Sequence, residues 1–173
     1  MRIPTCVFSS TAEPAVRDGH AVDRFVQVAS LTKVVTGTAL VQMATAGVLA
    51  LDDPVERWLD PNRRLLAPGR AGRPRRPWTM TGAILPAGGL WATPRAAADL
   101  VVRLLVERRL GYPAPSWQTA GPLHWHNGAV RHASVFTAAT DDGHWVMIHQ
   151  LNAPPDHTDR TGIALLQGAR TPS

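Results

Sequence analysis

Lysine is almost missing from this chain. Eighteen residues are lysine or arginine, and only Lys33 is lysine; the other seventeen are arginine. Cysteine is reduced to Cys6, which excludes an internal disulfide and leaves no cysteine pair with metal-binding spacing. No apolar run reaches the roughly 18 residues of a membrane-spanning helix, so no membrane partner is expected. The opening "MRIPTCVFSSTAEP" lacks the apolar centre of a secretory signal, and the expected setting is the cytoplasm. Tyrosine too is single, Tyr112. Proline (15) and glycine (14) are plentiful, which implies many turns.

The formal charge of +5 raises the question of nucleic acid. Apart from the run "RRLLAPGRAGRPRRP", the arginines are scattered, with no aromatic-interleaved basic patch and no groove-reading helix. The charge therefore reads as solvated arginines, and no nucleic-acid partner is expected. A chain of 173 residues with 45% hydrophobic content fits one domain with a sizeable core.

Residues 3–9 and 24–28 read as short strands, with "RDGH" (17–20) as a hairpin turn between them. From Ser30 the spacing of Val34, Leu40, Val41 and Ala44 predicts a helix running to about Ala46, stopped by Gly47. Asp52 or Asp53 is placed to cap a short helix that begins with Pro54. Residues 61–87 have high proline, glycine and arginine and no period, and read as a loop with a short strand near 80–85. Thr93 as N-cap and Pro94 at the first helical position start a second helix, 94–110. After Gly111 three β runs follow, "PLHWHNGAV", "HASVFTAAT" and "HWVMIHQLN", with "DDG" (141–143) as a hairpin turn. A last helix is expected from Thr161 to about Ala169.

The solitary lysine stands three residues after Ser30, so the two side chains share a face of a helix's first turn. A helix N-terminus and partial burial both disfavour the charged form of an amine. An uncharged amine can take a proton from a serine hydroxyl, whereas a guanidinium stays protonated and cannot. A chain that otherwise uses arginine has here a chemical reason to keep lysine, in the pattern of an activated nucleophile. Against this stands the plain reading: Ser-x-x-Lys is a short pattern, and Ser30 can serve as an N-cap alone.

The longer stretch "FVQVASLTKVVTGTALVQMATAGVLALDDPVERWL" closely resembles the Ser-x-x-Lys block of the serine β-lactamase and penicillin-binding-protein superfamily, on its branch of class C β-lactamases, D-alanyl-D-alanine carboxypeptidases and related esterases. "GGLWATPRAAADLVVRLL" resembles that family's "GG-hydrophobic" helix start, and "HWHNGAVRHASVFTAATDDGHWVMIHQLN" its His-x-Gly strand and the hairpins after it. The resemblance implies an α/β fold, an antiparallel sheet of about five strands flanked by helices, with the N-terminal strands paired to the C-terminal ones. It implies Ser30 as the acylated nucleophile, Lys33 as its proton acceptor, and the N–H groups of Ser30 and Ala129 as an oxyanion hole. His126, Asn127 and Gly128 would line the substrate.

The family's Tyr-x-Asn element has no counterpart. Only the loop 61–87 stands where the family carries a helical subdomain, and Tyr112 lies after the second helix. Two functions therefore stay open: a serine hydrolase or acyltransferase acting on a small ester, amide or lactam through an acyl-Ser30 intermediate, or a degenerate, non-catalytic member that binds a ligand or partner or serves a repurposed biosynthetic role. No cofactor is expected. His124 and His126 lie on one strand face, but a zinc site needs further ligands that no spacing supplies. Self-association stays open.

Overall fold

The computed structural model describes residues 2–54, 57, 85–110 and 116–169. Its centre is a six-stranded antiparallel sheet in the order β2-β1-β8-β7-β6-β5. The strands are β1 (Thr5–Ser9), β2 (Ala15–Arg17), β5 (Gln118–Ala120), β6 (Leu123–Val130), β7 (Ala133–Thr140) and β8 (Trp145–Leu151). A separate two-stranded ribbon joins β3 (Val26–Gln27) to β4 (Trp91–Ala92).

The three long C-terminal strands fall where the period of two and the turn residues put them. β7 is buried at every position and β8 at its five central ones, which is why both read as nearly continuous apolar runs. Gly143 turns the β7–β8 hairpin at φ +89°, a conformation open to glycine. The N-terminal strand closes on the C-terminal one, Cys6 standing opposite His149 and Phe8 opposite Met147. The "RDGH" segment is a turn, with the His20 N–H donating to the Arg17 carbonyl. It does not join the two N-terminal strands into a hairpin as expected. β1 pairs with β2, and β3 leaves the main sheet to pair with β4. Pairing of a two-residue strand is decided by a distant partner, which local turn chemistry does not reveal.

Helices cover both faces. A 3₁₀ turn (Ala29–Leu31) leads into α1 (Thr32–Thr45). Ala46 closes α1 and Gly47, at φ +72°, ends it as expected. α2 is one turn, Leu85–Gly88, and the short strand expected near 80–85 falls almost wholly outside the described residues. α3 (Pro94–Val101) starts as the sequence predicts: Thr93 Oγ1 accepts from the Ala96 N–H at 3.1 Å and Pro94 occupies the first turn. It continues into a π-helical turn, Val102–Val106, and stops short of residue 110. α4 runs Pro155–Ala169 and so begins six residues before the expected Thr161, with proline at its start. The proposed 61–87 loop falls mainly outside the described residues, and the cap at Asp52 or Asp53 leads into that segment.

The larger core lies where α1, α3 and the turns beside them meet the sheet: Cys6, Phe8, Val28, Leu31, Val34, Ala97, Val101, Leu104, Val135 and Met147. A smaller one lies on the opposite face, where Phe136, Ala138, Val146 and Ile148 meet Leu166 of α4. Here α4 rests directly on β7, because Gly162 has no side chain: a Cβ at that position would sit 2.2 Å from Cδ1 of Phe136. α1 is buried only in its first turn, at Thr32 and Val34. Beyond Val34 none of its residues is buried, and Leu40 and Met43 are 42% and 40% exposed.

Replacing Gly162 by alanine forces α4 away from Phe136, which is itself almost fully buried. The expected cost is about 1–3 kcal/mol, the usual penalty of overpacking. Urea denaturation of Gly162→Ala checks this, and an unchanged midpoint refutes the contact.

Candidate functional site

The site forms where the short β3–β4 ribbon hands the chain to α1 beside the free end of β6. Val28 N–H donates to the Leu90 carbonyl at 3.1 Å. One residue later Ala29, fully buried, is held at φ +48°. This left-handed conformation costs a residue with a Cβ of order 1–3 kcal/mol and persists only where the surroundings enforce it. Thr32 does so: its buried hydroxyl donates to the Ala29 carbonyl at 2.6 Å and accepts from the Leu90 N–H at 3.1 Å. The kink at Ala29 turns the chain from strand into the 3₁₀ turn and brings Ser30 to the surface, half-buried.

Lys33 lies one turn on. Its Nζ donates to Ser30 Oγ at 2.7 Å and to the Ala87 carbonyl at 2.8 Å. The two side chains thus meet as the i, i+3 spacing predicts. Two parts of the expectation are corrected. Lys33 is exposed, not partly buried, because it leaves α1 on the outer side of its first turn. Ser30 does not cap α1: it belongs to the 3₁₀ turn, and Leu31, with no capping side chain, precedes the α-helix. The plain reading of Ser30 as an N-cap is thereby removed.

β6 meets this turn at Gly128. A Cβ on Gly128 would lie 2.4 Å from Ser30 N and 2.9 Å from Ser30 Cβ, so glycine alone lets the strand backbone come this close. His126 stands two residues earlier on the same face. Its Nδ1 donates to the Asn127 carbonyl at 2.8 Å, which leaves Nε2 as the ring's bare nitrogen in the neutral form. Burial holds the imidazole below its ordinary titration range; the bond to the Asn127 carbonyl opposes this, and the nearby Lys33 charge adds to it. Trp117 stands edge-on to the ring at 6.2 Å, its indole N–H unpartnered among the described residues.

Asn127 goes elsewhere. Strand alternation points it to the opposite face, where its Nδ2 donates to Asp159 of α4 at 2.7 Å. Its side chain is therefore remote from Ser30, and of the expected His126–Gly128 lining only His126 and Gly128 face the site. Ala129 follows on an exposed stretch of β6. β5 covers only Leu123, His124 and Trp125 of that strand, so residues 126–130 form an edge without a strand on their outer side among the described residues. Tyr112 lies outside the described residues. His124 turns to Thr119 and Asp141 rather than to His126, and no group of three or more metal-ligating side chains exists among the described residues.

Sequence reasoning missed three contributors. The Ala87 carbonyl is main chain and has no residue signature. Thr32 is visible in "SLTK" only as a polar residue between the two that draw attention. Trp117 carries no motif signature, and its place beside His126 depends on the β5–β6 pairing.

Putting a methyl group on Gly128 tests the geometry without reference to activity. Gly128→Ala must push β6 off the Ser30 turn and should lower stability by about 1–3 kcal/mol. It should also shift the amide resonances of Ser30 and Leu31; if neither resonance nor melting temperature moves, the close approach is wrong.

Two comparisons bear on the chain. A family model described as Beta-lactamase matches residues 12–72, the part that carries Ser30 and Lys33. Among solved structures, a β-lactamase from Sphaerobacter thermophilus DSM 20745 superposes with a TM-score of 0.52 at 16% sequence identity, over 99% of this chain and 93% of that one. No curated protein matches the chain. At that identity the likeness speaks for the fold, and it agrees with the antiparallel sheet and the flanking helices described above. The chain is a β-lactamase-fold protein.

Proposed function

We propose that the chain is a serine hydrolase or acyltransferase that takes an acyl group from a small ester, amide or lactam onto Ser30. The observation that carries this reading is the 2.7 Å contact between Lys33 Nζ and Ser30 Oγ, seated against Gly128. In the reactive form the Lys33 amine is neutral. One N–H stays on the Ala87 carbonyl, and the lone pair faces the Ser30 hydroxyl. As Oγ attacks the acyl carbon, its proton passes to Lys33 and the carbonyl π pair moves onto oxygen. The tetrahedral intermediate then collapses, the bond to the leaving group breaks, and Lys33 returns the proton to that group. Water, or another acceptor, releases the acyl group by the same steps reversed.

The N–H groups of Ser30 and Ala129 are the proposed oxyanion donors; each such donor is worth about 3 kcal/mol where it has been removed from an enzyme. The close approach of Gly128 to Ser30 supports this reading, because it sets the strand residue that follows Gly128 beside the Ser30 turn. His126 lines the same face with a neutral ring.

One observation favours the second reading, a non-catalytic ligand-binding member. Lys33 is exposed to solvent rather than enclosed with Ser30 in a water-excluding pocket. The two readings separate in one experiment. The protein is incubated with a fluorescent penicillin and, separately, with a fluorophosphonate, and the adduct is located by mass spectrometry. Acyl transfer predicts a covalent adduct on Ser30, none in Ser30→Ala, and a labelling rate lowered by about 10²–10⁴ in Lys33→Ala, the usual contribution of a general base. Lys33→Arg should be no better than Lys33→Ala, since a guanidinium cannot accept the proton. Absence of any Ser30 adduct, with nitrophenyl acetate hydrolysis no faster than in Ser30→Ala, gives the second reading.

A further inference from the structure

The proposed chemistry occupies Ser30 and Lys33 and leaves His126 without a task. Its ring is only 7% exposed, yet it lies on the face of β6 that Gly128 brings against Ser30. The outer edge of that part of β6 has no strand beside it among the described residues, so a ligand can lie along it.

Three contacts fix the ring. Nδ1 stands 2.8 Å from the Asn127 carbonyl, which only accepts, so Nδ1 carries hydrogen. The Thr137 hydroxyl on β7 donates to the His126 carbonyl at 2.8 Å and pins the strand behind it. Trp117 stands edge-on, with 83° between the two ring planes. Nε2 has no hydrogen-bond partner among the described residues. Nor is it one of the unpaired polar atoms that the fold closes off from solvent. It is an unused position that faces the site.

The charge of the ring decides which way a bond at Nε2 runs. No carboxylate of the described residues is bonded to it. Asp159 is taken by Asn127 on the opposite face, and Asp141 by Arg108 and His124. The charge that bears on the ring is that of Lys33, which is positive and opposes a second one. Burial acts in the same direction. A neutral ring with its hydrogen on Nδ1 carries a lone pair on Nε2, and there it can only accept.

We propose that His126 selects the substrate of the acyl-transfer site, an inference that rests on the reading of Ser30 given above: Nε2 accepts a hydrogen bond from an amide N–H or a hydroxyl of the acyl compound. Two residues of β6 separate His126 from Gly128, roughly 7 Å at the rise of a strand. The substrates are therefore esters, amides or lactams with an uncharged donor at about that distance from the reacting carbonyl. A tertiary amide or a carboxylate at the same place has no hydrogen to give and leaves the lone pair unanswered. Asn127, whose amide could have offered hydrogens to an anion, is turned away to α4.

The test has two arms. In the first, the whole chain is labelled with ¹⁵N-histidine and held at pH 7.5, where His126 should appear as the neutral Nδ1–H tautomer. Adipamide should move the Nε2 resonance in the direction of an occupied acceptor, and N,N,N′,N′-tetramethyladipamide should not. The second arm uses nitrophenyl monoesters of adipic acid whose far end is a primary amide, a dimethyl amide or a carboxylate, with the rates of Ser30→Ala subtracted. The kcat/KM of the primary amide should exceed the other two by about tenfold, the usual effect of leaving one buried acceptor unpaired, and the ratio should fall to about one in His126→Leu.

An Nε2–H tautomer, an imidazolium at pH 7.5, or an Nε2 resonance indifferent to adipamide overturns the inference. So does a preference for the carboxylate, or a preference for the amide that persists in His126→Leu. If adipamide moves Nε2 while no ester is cleaved faster than by Ser30→Ala, the acyl-transfer reading fails and recognition by His126 stands. Should His126→Leu fail to fold, the spectrum and the ester preference of the unaltered protein decide.

Discussion

The candidate site rests on one close approach: the backbone of β6 lies against the backbone of Ser30, and only a residue without a Cβ permits it. Everything else at the site follows from that contact. Gly128 puts the open edge of β6 beside the Ser30 hydroxyl, places His126 on the same face and leaves Ala129 next in line. Neither partner is rigid by itself. β6 is held by eight register pairs to β7, whereas the Ser30 turn is only three residues long and must be braced from behind.

That bracing explains much of the remaining chain. Ala29 is kept in an unfavourable backbone conformation by Thr32 from one side and by the Val28–Leu90 bond from the other. The residues 87–92 therefore do two things: their β4 strand completes the ribbon, and the Ala87 carbonyl orients Lys33. Beneath them, the paired histidines His20 and His149 tie Gln27 to β8, whose five central residues are buried. Strain at Ala29 is thus carried by the core and not by the site's own few contacts, an arrangement in which local distortion persists because its surroundings over-determine it.

Local chemistry made certain elements legible. The three C-terminal strands follow from alternation and the "DDG" turn; the start of α3 follows from Thr93 and Pro94; the end of α1 follows from Gly47. Each depends on residues within a few positions of one another. The Ser30–Lys33 contact belongs to the same class, since it spans one helical turn. Even the orientation of Asn127 was implicit in the period of two, because a strand that turns His126 to one face turns its neighbour to the other. A three-residue motif read as a unit hides that alternation. α4's earlier start at Pro155 was also signalled, by proline at a first helical position.

What the sequence alone determined is therefore the local grammar: which residues form strands and helices, and that a hydroxyl and an amine share one turn. What only the tertiary structure decided are the facts that depend on distant partners: β3 leaving the main sheet for β4, Ala87 reaching Lys33, His20 meeting His149 across 129 residues, and Lys33 lying exposed. The physical reason is the same in each case. Secondary structure and side-chain spacing are set by short-range sterics and hydrogen bonding, whereas solvent exposure and long-range pairing are set by which surfaces the core can bury together.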